Sequence, residues 1–388
     1  MLQAATVSIV HDDARLAGKE AATELLYQLD GPPDLVLLFA APRYEPARLL
    51  EGLFSKLPRS TRLGGCSTFG EINSEEALGD SVTVMGIRSR DVAFRTFKVE
   101  KVGADSMAAG RVLGAEVKEY APNLLILLPD ALKANATRLL RGLKDIAGEG
   151  LPIIGGMAAD NRTYTTTYQY HDSEAISDGA VAIGIKGPIK VVTGARSGWI
   201  AVGGTRRITK VENGNVIVEL DGHPALDLYE EYLGARAQEM PAVSADFPIG
   251  LVNDIDDEEE GPGDHIRVCR GIRSVDRERR AILVGADVPE GSGVRMTRAT
   301  KEDLIEAANQ VGDSVCAAMP DASLALIFNC AARKMVLGRR YKSDLVTTFD
   351  RLGDKVPKIG FYTYGEISPV QERSTYHELT FTMALVKG

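Results

Sequence analysis

One nine-residue pattern occurs near both ends of the chain, so the fold must supply the same local geometry twice. The first copy is GGCSTFGEI (64–72) and the second IGFYTYGEI (359–367). Aligned on Gly65 and Gly360, they match Thr68 with Thr363, Gly70 with Gly365 and Glu71 with Glu366. A third glycine site, IIGGMAAD (153–160), places Gly155 and Gly156 after a lead-in of the same kind.

Each lead-in begins with an apolar run: DLVLLF (34–39), NLLILL (123–128) and SLALIF (323–328). A polar loop, an amphipathic helix and a short return strand follow. The first two copies share RLLxGL, at 48–53 and 138–143. After the glycines come DSVTVMGI (80–87), DGAVAIGI (178–185) and HELTFTMALV (377–386). Apolar runs of strand length alternating with 3.6-period segments predict an α/β protein with mixed sheets, built from repeated helix-strand-helix-strand-strand units.

Glycine at a strand end admits positive φ, or lets a ligand or another backbone come close. Two readings follow, a binding loop or a tight structural connection. Reuse of Thr, an aromatic and Glu in two distant copies favours loops that line a site.

A chain of 388 residues exceeds one ordinary core, so two lobes are expected. Apolar content of 44% supports large cores, and a formal net charge of −9 argues against binding nucleic acid through a basic surface. The start, MLQAATVSIVHDDARL, has no basic n-region, and no stretch approaches the roughly 18 apolar residues of a membrane span. Four scattered cysteines without CxxC suit a reducing compartment, so the expected location is cytoplasmic.

In chain order, helices are expected over 14–29, 46–57, 107–120, 224–233 and 301–319, the last capped by Thr300. Alternation over 81–87 and 92–99 suggests a hairpin, as does the pair 180–185 and 189–193 around Gly187 and Pro188. Asn213-Gly214 between β-branched residues is a stronger hairpin signal. The lobe boundary is expected just after it, giving lobes 1–219 and 220–388. The acidic run NDIDDEEEGPGD (253–264) lacks calcium-loop spacing and reads as a solvated, mobile loop. Residues 220–294 could form a degenerate fourth copy.

Catalytic patterns are sparse. There is no GxGxxG opening a helix, no GxxxxGK[ST], no HExxH and no GxSxG. The five histidines show no metal-ligand spacing, so no metal site is expected. A heme held by one axial His or Cys leaves no spacing signature. What remains is a polar set at the glycine turns: Gly65, Cys66, Ser67, Thr68 and Glu71; Gly155 and Gly156; Cys330 and Arg333; Thr363, Gly365 and Glu366. Arg333 is a candidate carboxylate clamp at a strand end, where α/β folds put ligand groups. Glu71 and Glu366 would accept from an ammonium, so the set suits a zwitterion such as an amino acid. The alternative is an Arg333–Glu366 pair that pins the loop. A thiol nucleophile at Cys66 or Cys330 would need a base, and no histidine is near either in sequence.

LFAAPRYE (38–45), GCSTFGEI, IIGGMAADN, ELDGHPALDLYEEYLG (219–234), VPEGSGV (288–294), NCAAR (329–333) and GFYTYGEISPV (360–370) together resemble the FIST proteins, a sensory family with N-terminal and C-terminal halves. The likeness implies a non-enzymatic small-ligand sensor in signal transduction. It implies output through a histidine kinase, chemotaxis receptor or cyclic-di-GMP enzyme. Some members are described as heme-containing gas sensors, which makes a heme-based sensor the alternative; a thiol enzyme is a lesser one. Phe361 and Tyr362 replace Cys66 and Ser67 in the second copy, so the two loops are not expected to make identical contacts.

Overall fold

The structure is a computed structural model that describes residues 2–252, 266–370 and 373–388. The acidic run and the expectation attached to it lie outside the described residues.

Three units follow one plan. In each, a helix (Ala14–Leu29, Ser106–Tyr120 or Lys301–Ala318) precedes a fully buried central strand (Leu35–Ala40, Leu124–Pro129 or Leu324–Cys330). Asp13, Asp105 and Thr300 cap these helices through their side chains. A parallel glycine strand follows (Arg62–Ser67, Ile153–Gly156 or Lys358–Thr363). An antiparallel closing strand then adds to the other side of the central strand (Val82–Arg88, Gly179–Lys186 or Phe381–Lys387). The glycines of RLLxGL explain that motif: a Cβ on Gly52 would lie 2.0 Å from Arg15 O, and one on Gly142 2.2 Å from Met107 O. Only glycine lets the two helices of a unit cross with their backbones touching.

The units exchange strands in a ring. Glu71–Ile72, which leaves the first glycine loop, pairs with the glycine strand of the third unit. Glu366–Val370, leaving the third, pairs with the second, and Gln169–His171, leaving the second, pairs with the first. The other edges behave alike. Ala93–Glu100 leaves the first unit to join the second, and Lys190–Arg196 leaves the second to join the third. The place a fourth unit would fill on the first sheet is taken by Gln3–Ile9. The chain thereby closes on itself, with Leu2 N donating to Gly388 O at 2.8 Å.

The two hairpins expected over 81–99 and 180–193 are therefore corrected. Both strands of each are present, but the second crosses to a neighbouring sheet. Alternation reveals a half-buried strand and not which edge it joins. The Asn213-Gly214 hairpin forms, between Ile200–Glu212 and Val216–Leu220.

Inner faces of the three sheets share one apolar core, in which the rings of Phe39, Phe328 and Phe361 meet at 4.5–6.4 Å. Each unit's helices cover its outer face. Between the second and third units, an antiparallel sheet takes in Ile200–Glu212 through Gly293–Arg298, with helix Ala225–Leu233 packed on it. Among its described residues no strand pair is parallel, so 220–294 is not a fourth copy. Among the described residues no helix is long and apolar enough to cross a membrane.

Candidate functional site

The three glycines at the start of the pattern have one cause. A Cβ on Gly65, Gly155 or Gly360 would lie 1.9, 2.0 or 1.8 Å from the carbonyl oxygen of Leu38, Leu127 or Ile327 on the adjacent central strand. Backbone, not ligand, makes the close approach. Two and four residues further on, the loops join at the centre of the ring. Phe69 N donates to Tyr362 O at 2.9 Å, Tyr364 N to Met157 O at 3.4 Å and Ala159 N to Ser67 O at 2.8 Å. The glycine loops thus converge in space, and their meeting point is filled by backbone and side chains.

The first loop satisfies itself. Ser67 Oγ accepts from Tyr168 N at 3.0 Å. The Thr68 hydroxyl donates to Glu71, whose other oxygen accepts from Ser81 N and Ser81 Oγ at 3.0 and 2.7 Å. Burial raises the Glu71 pKa against those hydrogen bonds, and burial alone pushes the Cys66 thiol up. Gly156 makes room for the Thr363 side chain, and Gly365 for that of Tyr376. Arg333 is fully buried, and its guanidinium is spent on Asp344 (3.1 and 3.2 Å), on Leu304 O (2.7 Å) and on Ser197 O. Its carboxylate is Asp344, not Glu366.

The third loop is arranged differently. Thr363 Oγ1 lies 2.7 Å from the carbonyls of Met157 and Gly365, donating to one of them. Glu366 is left with Thr380 N at 2.9 Å on one oxygen and no hydrogen-bond partner on the other. Beside it stands Cys330, where the first unit has Ala41; each donates its backbone nitrogen to the residue just before the closing strand, Cys330 N to Thr380 O at 3.2 Å and Ala41 N to Ser81 O at 2.9 Å. Burial is the largest cause of a raised pKa in both groups; Glu366 adds to the rise of Cys330, whereas the Cys330 thiol partly lowers that of Glu366.

Cys330 and Thr363 form the floor of a cleft of about 250 Å³. Its walls are Ile272, Ala331, Ala332, Met335 and Leu379, and its polar rim is Arg162, Tyr164, Arg273, Tyr364 and Glu378. It opens at the carboxyl ends of Leu324–Cys330 and Lys358–Thr363, where α/β sheets place ligands. Two larger hollows, of about 320 and 450 Å³, lie at the amino ends of the equivalent strands of the first and second units. Topology therefore selects the smaller one.

Of the residues singled out in the sequence, Cys330 and Thr363 line this cleft, and Glu366 stands behind Cys330. Gly65, Cys66, Ser67, Thr68, Glu71, Gly155, Gly156, Arg333 and Gly365 do not line it. Arg162, Tyr164, Arg273 and Glu378 escaped the sequence reading. Arg162 and Tyr164 follow directly on the third glycine site, and Glu378 is the second residue of HELTFTMALV, so proximity to the repeats was the signal available. Arg273 comes from the antiparallel sheet and had none.

Two family models match the chain, the FIST N domain over 34–223 and the FIST C domain over 225–369. The chain belongs to the FIST family. FIST domains are sensory domains of signal transduction proteins. Among relatives of this FIST protein, an uncharacterized protein of Mycobacterium tuberculosis is 28% identical over 382 residues, 96% of each chain. One of Mycobacterium bovis is 26% identical over the same length. One of Methanocaldococcus jannaschii is 26% identical over 197 residues, 48% of this chain and 38% of its own. A solved structure, a cyanuric acid hydrolase from A. caulinodans, aligns over 100% of this chain and 99% of its own, with 6% identity and a TM-score of 0.40.

Proposed function

We propose that this FIST protein is a non-enzymatic sensor that binds a small polar molecule in the cleft above Cys330 and Thr363. Occupancy changes how the antiparallel sheet sits on the ring, and with it the affinity for a signalling partner. A histidine kinase, a chemotaxis receptor or a cyclic-di-GMP enzyme is the kind of partner this reading calls for. The observation that carries it is the break in equivalence between the first and third units. The same strand end is sealed around Glu71 and is left open, with an unpartnered buried oxygen, around Glu366.

Binding rather than catalysis is favoured by the ionisation of the only cysteine lining the cleft, which burial and Glu366 hold protonated. None of the described histidines lines the cleft; His377, the buried one, sits 3.2 Å from Ser368 O. The residues present do not fit a heme with an imidazole axial ligand. All four cysteines are free and buried, which supports a reducing, cytoplasmic setting.

Trp199, the only tryptophan, is 4% exposed and packs in one cluster with Leu379 of the cleft wall. Its fluorescence should follow occupancy in a screen of small polar molecules. Ala332→Trp, which fills the cleft, should abolish both the signal and any thermal stabilisation. A ligand that stabilises this variant as well as the wild type places the site elsewhere.

A further inference from the structure

The reading of the cleft as a ligand site leaves the charge of its ligand open, and the hydrogen bonds around the rim decide it. Among the described residues three carboxyl groups stand close to the cleft, two of them hydrogen-bonded by neighbours and the third buried out of reach. Glu378, 5% exposed, accepts from Arg273 Nη2 and from Gly271 N, both at 3.1 Å. Asp160 accepts from Thr163 Oγ1 and Thr165 N, both at 2.7 Å, and from Tyr364 OH at 3.1 Å. Glu366 is fully buried behind Cys330 and does not line the cleft, and burial raises its pKa. Among the described residues, an ammonium entering the cleft would meet no free carboxylate.

Cations on the rim are differently placed. Arg273 commits one nitrogen to Glu378 and keeps 45% of its side chain exposed. Arg162 is exposed and has no carboxylate partner among the described residues. It is presented by a loop in which Asn161, Arg162 and Tyr164 all take left-handed backbone conformations, with φ of 55°, 67° and 51°. Non-glycine residues adopt that region at a cost, and a cluster of them persists only where surrounding bonds enforce it. Here Arg162 N donates to Tyr364 OH at 2.6 Å, and the Tyr164 ring stacks on that of Tyr364 at 5.8 Å. The loop spends backbone strain to hold a guanidinium and an aromatic face at the mouth of an apolar-walled cleft.

We infer that the cleft selects a small molecule with a carboxylate, or a comparable planar oxyanion, on an apolar body, and discriminates against a free ammonium group. This rests on the cleft being the ligand site. Arg273 and Arg162 grip the anion, with the fork geometry that suits a carboxylate. The apolar body lies against Ile272, Met335 and Leu379.

Benzoate, benzylamine and phenylalanine, titrated against the full chain by calorimetry and by Trp199 fluorescence, separate the possibilities. Benzoate should bind, and benzylamine and phenylalanine should bind at least tenfold more weakly. Arg273→Gln and Arg162→Gln should each weaken benzoate roughly ten- to a hundredfold. Arg162→Gln serves as the second variant because its exposed side chain supports no part of the fold. If benzylamine or phenylalanine binds as well as benzoate, or if benzoate is indifferent to both arginines, the anion assignment is wrong while the cleft stands as a site. If none of the three binds the wild type, the cleft is not a site for small amphipathic molecules, and both readings fall.

Discussion

Replacing Arg333 by methionine tests whether that buried guanidinium is a structural pin. In the wild type, Arg333 and Asp344 are both fully buried and paired at 3.1 and 3.2 Å. The substitution keeps the volume but leaves Asp344 with only Asn329 Nδ2, 3.0 Å away. Breaking one side of a buried ion pair costs about 3–5 kcal/mol, because the surviving charge stays out of water without compensation. Unfolding entropy of roughly 2.1 cal/mol/K per residue gives about 0.8 kcal/mol/K for a chain of 388 residues. The melting temperature should therefore fall by about 4–6 °C. Adding Asp344→Asn removes the stranded charge and should recover part of that loss, so the double variant should be more stable than Arg333→Met alone. Circular-dichroism melts of the three proteins supply the comparison, and ligand titrations well below the transition should show wild-type affinity. An unchanged melting temperature, additive losses in the double variant, or loss of ligand affinity in a folded Arg333→Met protein would refute the reasoning.

Three further outcomes are expected. Gly360→Ala drives a Cβ into Ile327 O at 1.8 Å and should cost more than ~3 kcal/mol, as should Gly65→Ala and Gly155→Ala; denaturant melts would show it, and wild-type midpoints would contradict the shared backbone cause. Glu366 has a folded pKa above its ordinary 4.5, so its contribution to stability is fully present below that value and is lost as pH rises toward the folded pKa. Glu366→Gln should thus be more stable than wild type at neutral pH, with the gap closing on acidification toward 4.5; a pH-independent difference would count against burial of the free acid. Because Leu2 N and Gly388 O are 2.8 Å apart, joining the termini and opening the chain between Arg90 and Asp91, at the equivalent link of the first unit, should give a folded, monodisperse protein. An aggregated permutant would show that the ring closure is not equivalent at its three links.

The repeated units were legible because buried parallel strands are continuous apolar runs, and LVLLFA, LLILLP and LALIFNC are all of that kind. The strand exchange was not, because nothing local distinguishes a strand that returns from one that crosses. Thr68, Glu71, Thr363 and Glu366 stood out as matched pairs, yet their roles diverge: Thr68 bonds one oxygen of Glu71 and Ser81 the other, whereas Thr363 turns to backbone carbonyls and leaves Glu366 with Thr380 N. Arg333 illustrates a further limit. An arginine one turn past a strand end suits a clamp, and only the fold shows Asp344 already in its grip. Arg273 and Glu378 lie far apart along the chain, and neither carries a local pattern.

A carton whose three flaps each tuck beneath the next stays shut without glue, and it cannot be loosened at one corner alone. Tyr364 lines the cleft with its side chain while its backbone nitrogen holds the seam at Met157. A molecule that shifts Tyr364 therefore pulls on a flap belonging to the second unit, which in turn overlies the first through Ala159 and Ser67. The face that greets a partner can accordingly sit a third of a turn away from the place where the message arrives.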